Sequence, residues 1–158
     1  MNKKRHVIVS LLTIVMLQAV PVLAADLSAY LPPTHTQGAI TYMTGGVGQP
    51  ESTAMKAVAG RYDLAVMFAN RKGEFLDNVE VYILDNGGNR VLEIRSGPIL
   101  LANLPGGRYE IYADMDGSPL VRHVNVSGRH HRQMVFAWPV GADRVEFAGF
   151  EIQPTEPR

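Results

Sequence analysis

Large apolar side chains recur at every second position along most of the chain after residue 61, which is the period of β-strands. Seven strand-like runs are present, of which 99–104 is continuously apolar: residues 62–69, 79–84, 90–95, 99–104, 109–114, 120–126 and 133–138. Turn-forming residues separate them, including the Asp-Asn-Gly-Gly-Asn of 85–89 and Asp116-Gly117. No long helical pattern intervenes. We therefore predict an all-β fold, a seven-stranded antiparallel Greek-key β-sandwich over residues 61–139.

The phase of these runs predicts which side chains are buried. Phe68, Val81, Ile111 and Phe136 fall in the sets that should face the core. The polar stretch 127–132 is predicted to join the last two strands as a hairpin.

Residues 25–60 lack this alternation and are predicted to form an N-terminal arm. A Gly-rich loop at 44–48 precedes a short helix at 50–59, which Gly60 ends. Met55 and Val58 lie on one side of that helix and should dock it on the sandwich, because ten residues are marginal as an isolated helix. We predict that residues 140–158 form a C-terminal extension.

The first 24 residues have the pattern of a secretory signal peptide. Three basic residues, Lys3 to Arg5, precede a short apolar stretch at 7–17, and Val22 and Ala24 suit a signal-peptidase site. Cleavage after Ala24 would leave a chain that begins at Ala25. The apolar stretch is too short for a membrane span, and no cysteine is available for lipid attachment. We expect a soluble periplasmic protein that is not a lipoprotein.

Charge and cysteine content exclude several function classes. The chain has 15 Lys and Arg against 15 Asp and Glu. Without the three basic residues of the signal the balance is 12 to 15, a net charge of −3, so no large positive field is available to recruit nucleic acid. The absence of cysteine removes thiolate metal sites, cysteine nucleophiles and disulfides.

One motif carries a resemblance to a known family. Residues 104–111 read Leu-Pro-Gly-Gly-Arg-Tyr-Glu-Ile, a Pro-Gly turn that leads into an alternating strand beginning at tyrosine. This resembles the carboxypeptidase regulatory-like domains, which have the transthyretin (prealbumin) fold, and the likeness covers residues 61–138. The Gly-rich loop before an acidic helix is also similar to small exported proteobacterial proteins that carry such a domain. The resemblance implies an accessory or ligand-presenting module without implying an activity.

Four of the five histidines are candidate metal ligands. His123, His130 and His131 all fall in the predicted last hairpin, and His35 lies in the arm. Adjacent strand residues such as His130 and His131 point to opposite faces, which disperses the ligands. We predict solvated turn histidines and no metal site, with a copper- or zinc-binding protein as an alternative function.

Catalytic patterns are weak. The 44–48 loop lacks the Lys-Ser/Thr of a phosphate-binding loop, and no Gly-x-Ser-x-Gly elbow is present. Asp114 and Asp116 flank a turn, where aspartate is common for conformational reasons. The chain ends in Pro-Thr-Glu-Pro-Arg, which differs from the Tyr-Arg-Gly-Ser of the related hydroxyisourate hydrolases. We predict neither an enzyme nor a cofactor.

We predict that two aromatic residues, Tyr82 and Tyr112, bind the partner. Tyr82 and Tyr112 share the phase of Glu80 and Glu110, opposite to the core, whereas Trp138 shares the phase of Phe136 and should be buried. Exposed aromatic side chains anchor protein partners and stack on sugar rings. The sequence thus predicts a noncatalytic exported module for binding or envelope assembly, with a protein or glycan partner in the cell envelope. A carbohydrate-binding module that uses the two tyrosines is the first alternative.

Overall fold

The computed structural model of the protein describes residues 27–128 and 130–139. The expected signal peptide, its cleavage site and the expected extension at 140–158 lie outside these ranges. Within them the fold is mostly β, with one short α-helix. The strands are β1 His35–Gln37, β2 Ile40–Gly45, β3 Leu64–Asn70, β4 Val79–Asp85, β5 Arg90–Ser96, β6 Ile99–Asn103, β7 Gly107–Met115, β8 Ser118–Val126 and β9 Arg132–Trp138. The helix α1 spans Gln49–Val58, and short 3₁₀ turns cover Leu27–Tyr30 and Ala59–Arg61.

The strands form two sheets. Sheet A has the order β1-β2-β6-β3-β9, and sheet B has the order β5-β4-β7-β8. Buried side chains from both sheets meet in one hydrophobic cluster, so the two sheets pack face to face as a sandwich. Phe68, Ile111 and Phe136 are fully buried and Val81 is 1% exposed, which agrees with the predicted strand phase.

The number of strands differs from the prediction: the described residues contain nine, not seven. All seven predicted strands are present, and the two additional ones, β1 and β2, lie in the segment that was expected to be an arm. β2 pairs antiparallel with β6, from Thr41 opposite Asn103 to Gly45 opposite Ile99. The sandwich therefore includes residues well before 61. Alternation did not reveal β2 because Ile40 and Met43, which face opposite sides of the sheet, are both buried.

Two strand pairings also differ from the prediction. β3 and β9 pair in parallel, so sheet A is not purely antiparallel. β8 and β9 are edge strands of different sheets, so residues 120–138 do not form the expected hairpin. Side chains join the two strands instead: the Trp138 indole N–H donates to Ser118 O at 2.6 Å, and Arg132 Nε donates to Asn125 O at 3.2 Å.

The helix α1 packs on the outer face of sheet A. Met55 is fully buried in a second cluster with Ala65 and Leu101, and Val58 packs against its margin, as predicted for both residues. Ala65 is buried although its neighbours Leu64 and Val66 face the main core. β3 is thus covered on both faces, by the opposite sheet and by the helix.

The β4–β5 hairpin closes on the carboxylate of Asp85. Its Oδ1 accepts the backbone N–H groups of Gly87 and Asn89 at 2.8 and 2.9 Å, and the side-chain amide of Asn89 bonds both oxygens. These hydrogen bonds, the side-chain bond from Asn89 first, lower the pKa of Asp85. This hairpin confirms the turn predicted at 85–89.

Candidate functional site

The outer face of sheet B carries the two tyrosines that the sequence singled out. The buried residues Val81 and Ile111 point inward, so Tyr82 and Tyr112 point away from the core. The helix covers sheet A, where it contacts β2 and β6. The tyrosines are half-buried rather than fully exposed, because each covers part of its neighbour.

Tyr82 and Tyr112 lie directly opposite each other on β4 and β7. Their ring centroids are 4.6 Å apart and the ring planes differ by 12°, which is a stacked pair. The spacing is close to the distance between neighbouring strands, so the rings stand upright from the sheet. Such a pair presents ring edges and hydroxyl groups outward, and its ring faces are turned toward each other.

Arg90 extends this stack by one member. Its guanidinium carbon lies 4.4 Å from the centroid of the Tyr82 ring. β4 lies between β5 and β7, so Arg90 reaches Tyr82 from the side opposite Tyr112. Arg90 also forms an ion pair with Glu93 at 2.9 Å, which holds the guanidinium in place. Both faces of the Tyr82 ring are therefore covered within the protein.

Glu110 connects Tyr112 to the edge strand of the sheet. A hydrogen bond to Glu110 is the main cause that raises the pKa of Tyr112 above 10.0. The same carboxylate lies 3.4 Å from Nδ1 of His123 on β8.

An open cleft of about 720 Å³ adjoins this face at the end where the β4–β5 turn meets β7 and β8. Leu84, Tyr109 and Val124 contribute apolar surface to it, and Arg108, Glu110 and other polar residues contribute the rest. Tyr109 is nearly buried and donates its hydroxyl to Pro105 O at 2.7 Å, which fixes the turn that precedes β7. The cleft has the volume of a ligand site but is broadly open to solvent.

Sequence reasoning missed two members of the face. From the sequence alone, Arg90 is expected only at the start of a strand, and Val121 only within a run. Val121 lies directly opposite Tyr112 and is 43% exposed. The face is defined from here on as Arg90, Tyr82, Tyr112 and Val121, and is called the tyrosine face. Its exposed valine could have been found from strand phase, whereas Arg90 depends on an irregularity in the β4–β5 register.

The histidines are not brought together. His123 lies beside Glu110, His131 Nδ1 lies 2.8 Å from Tyr62 O, and His35 stacks on the ring of Tyr42. His130 is exposed. In residues 27–128 and 130–139 no group of three His, Asp or Glu side chains is placed to hold a metal ion.

The Gly-rich loop makes a contact that the sequence did not reveal. The N–H of Gly46 donates to Oε1 of Glu51, at 2.6 Å, so a carboxylate of the chain itself occupies the position that an anion would take. The side chain of Thr44 bonds Ser96 Oγ and the N–H of Gly97. The loop is therefore tied to the sandwich at several points.

Asp114 and Ser96, two further polar residues that the sequence offers as candidates, have structural partners. Asp114 Oδ1 accepts the N–H of Gly117 at 2.7 Å in the β7–β8 turn. Ser96 is buried and bonds Thr44 and Gly97 O. None of the helices in the part of the chain that the structure describes is long and apolar enough to cross a membrane.

Comparison with known proteins includes a structural likeness of low TM-score. No family model and no curated protein matches the chain. A streptococcal ancillary pilin is similar in structure, with 13% sequence identity over 48% of this chain and a TM-score of 0.34. The match spans 30% of the pilin chain. At this TM-score the likeness carries no information about which residues bind.

Proposed function

We propose that the protein is an exported, noncatalytic binding module whose partner docks on the tyrosine face. The observation that supports this proposal best is the stack of Arg90, Tyr82 and Tyr112 on the outer face of sheet B. Tyrosine and arginine are the residues that most often dominate the binding energy of protein interfaces. Here both are held by stacking and ion pairing before a partner arrives, which lowers the entropy lost on binding.

The geometry favours a protein partner over a glycan. Sugar rings stack on an open aromatic face, and Tyr82 has Tyr112 on one side and Arg90 on the other. Upright ring edges with hydroxyl groups, next to the exposed Val121, suit instead a mixed apolar and hydrogen-bonding protein surface. A carbohydrate-binding function is kept as the alternative outcome of the experiment below.

Membership in the carboxypeptidase regulatory-like family is part of this proposal. It is supported by the local structure of the motif at 104–111, where Tyr109 enters β7 and bonds back to Pro105 O. An accessory, ligand-presenting role is what this family would imply.

Replacing Tyr82 or Tyr112 by alanine is expected to weaken partner binding by on the order of 2 kcal/mol, about thirtyfold, for at least one of the two. Stability should change by only about 1 kcal/mol, since neither ring fills the core. The wild-type protein would be immobilised to capture its partner from an envelope extract. The dissociation constant of that partner would then be measured for each variant, alongside thermal unfolding.

Tyr30 is the matched control, because it is exposed and lies on the 3₁₀ turn Leu27–Tyr30, outside sheet B. Tyr30→Ala should leave the affinity unchanged. A folded Tyr82→Ala, Tyr112→Ala double variant with wild-type affinity would eliminate the tyrosine face. If a glycan array bound the wild type and lost binding in the double variant, the carbohydrate alternative would replace the protein partner.

Export to the periplasm, with Ala25 as the first residue of the mature protein, is the second part of the proposal. Its support is the basic start, the short apolar stretch and the Val22 and Ala24 positions. The intact mass of protein recovered from the periplasmic fraction should correspond to residues 25–158. Recovery of the unprocessed chain with the inner membrane would contradict this expectation.

A further inference from the structure

The outer edge of β9 presents backbone groups without partners among the residues that the structure describes. The N–H of Arg132 donates to Asp63 O, and the O of Trp138 accepts the N–H of Arg71, so the even-numbered residues of β9 face the ladder with β3. The backbone groups of successive strand residues point to opposite sides of the strand. Three residues of β9 therefore turn their backbone groups to the free edge: Gln133, Val135 and Ala137.

The side chains along this edge give it no protection against another strand. Exposed edges are commonly protected by prolines, by charged side chains or by short length. From residue 133 to 138 β9 has neither a proline nor a charged residue. Arg132, at its start, is held by the other sheet, because its Nε donates to Asn125 O. Val135, at the middle of the strand, is 43% exposed.

The other three edge strands of the two sheets carry such protection. β8 contains Pro119, which lacks an N–H, and β1 is only three residues long. The exposed charged side chains of Arg90, Glu93 and Arg95 lie along β5, and the N–H of Glu93 meets the side chain of Gln37 at 3.5 Å. β9 is therefore the edge that is ready to pair with a further strand.

The pattern of β9 fits a second copy of itself. In antiparallel strands, facing residues of a hydrogen-bonded pair exchange both of their hydrogen bonds. If Val135 faces Val135 of the second copy, Gln133 faces Ala137 in both directions, and every free group of the edge is paired. A shift by one residue toward the end of β9 would set Gln133 against Pro139, which has no N–H. The opposite shift would set Ala137 against residue 131, which precedes β9.

The side chains are compatible with this register on both faces of the sheet. On the outer face, Val135 meets its own copy and Gln133 meets the small Ala137. On the inner face, the half-buried Met134 lies opposite Phe136 of the second copy, so two apolar side chains adjoin. Neither face brings two like charges together.

We propose that the chain forms a dimer in which the β9 edges of two copies pair antiparallel about a twofold axis at Val135. The two A sheets then form one continuous sheet. This axis stands perpendicular to the sheet, so both tyrosine faces lie on the same side of the dimer. Dimer formation is independent of the tyrosine face. Its consequence, that a partner with repeated sites is bound through two faces at once, rests on the proposed function.

Disulfide cross-linking tests the pairing, because the chain has no cysteine of its own. Facing residues of a hydrogen-bonded antiparallel pair have Cα atoms about 5.5 Å apart, which is within the usual range for a disulfide. Val121→Cys is the matched control, since Val121 is also 43% exposed but belongs to sheet B. Val135→Cys should form a disulfide-linked dimer at least about tenfold faster than this control, because pairing raises the effective concentration of the two sulfurs.

The variants Gln133→Cys and Ala137→Cys test the register. Each protein alone should cross-link slowly, because its two cysteines would lie roughly 13 Å apart along the paired strands. An equimolar mixture of the two variants should give the disulfide-linked heterodimer. Fast cross-linking of either variant with itself would show a different register and would contradict the axis at Val135.

Amide hydrogen exchange of the wild-type protein, resolved by residue with NMR, gives a readout without cysteine. The amides of Val135 and Ala137 should be protected in the dimer and exchange at least about tenfold faster after dilution to the monomer. The amides of Met134 and Phe136 face β3, so they should stay protected and report that the sandwich is folded.

Two results would overturn the proposal. The first is equal cross-linking of Val135→Cys and Val121→Cys. The second is a wild-type protein that sediments as a monomer at every concentration, whether its Val135 amide is exposed or is protected within one chain. Neither result bears on the affinity of the tyrosine face, which is measured separately with the tyrosine variants.

Discussion

Phe68→Ala and Phe136→Ala should each lower the free energy of unfolding by about 3–5 kcal/mol. Both side chains are fully buried and lie directly opposite each other on β3 and β9, with ring centroids 5.7 Å apart. Trp138 completes the group, at 6.4 Å from Phe68 and 6.2 Å from Phe136. Removal of one ring leaves a cavity in the core between the sheets, which the surrounding side chains can fill only in part.

Urea unfolding of each variant measures this loss. A typical domain has about 5–15 kcal/mol of stability, and this chain has no disulfide to add to it, so either variant should be close to unfolding. Phe75→Ala is the matched control, because Phe75 is 41% exposed and Nζ of Lys56 lies 4.6 Å from its ring centroid. It should cost no more than about 1 kcal/mol. Equal losses in the buried and exposed variants would show that the core is elsewhere.

Gly97→Ala should cost about 3 kcal/mol, the upper end of the range for overpacking, since the added methyl would meet backbone atoms. A Cβ at this position would lie 2.7 Å from the O and 2.9 Å from the Cα of Gly45. Gly45 is held by its pairing with Ile99, and the N–H of Gly97 bonds Thr44 Oγ1 at 3.0 Å. Neither segment can move without breaking these contacts between β2 and the β5–β6 turn.

Gly60→Ala is the control, because it changes the backbone entropy of a glycine position without a steric conflict. A Cβ there meets no atom within 4 Å, and the position has no left-handed backbone angle. This variant should be neutral or more stable by about 0.4–1 kcal/mol, through the lower entropy of its unfolded state. Thermal unfolding of the two variants separates steric conflict from backbone entropy, and a Gly97→Ala protein as stable as the wild type would contradict the close approach.

Several features of the fold follow from the sequence because they are local. Alternation, the continuous apolar run at 99–104 and the turn signals between runs identified the seven strands from β3 to β9, and strand phase placed Phe68 and Phe136 inside. The apolar side of 50–59, with Met55, predicted the docked helix. The phases of Tyr82 and Tyr112 predicted that both lie on the outer side of the sandwich. Each of these results depends on side chains within one element.

The pairing of strands was decided only by the tertiary structure. β2 is short and finds its partner β6 more than fifty residues later, and β3 accepts β9 as a parallel neighbour. The same is true of the site, since the register between β4 and β7 stacks Tyr82 on Tyr112, and that between β4 and β5 brings Arg90 over Tyr82. A strand's side-chain pattern reports which of its faces is buried. Its edges carry the same backbone N–H and C=O groups whatever the sequence, so the choice of neighbour and register rests on how the whole core packs.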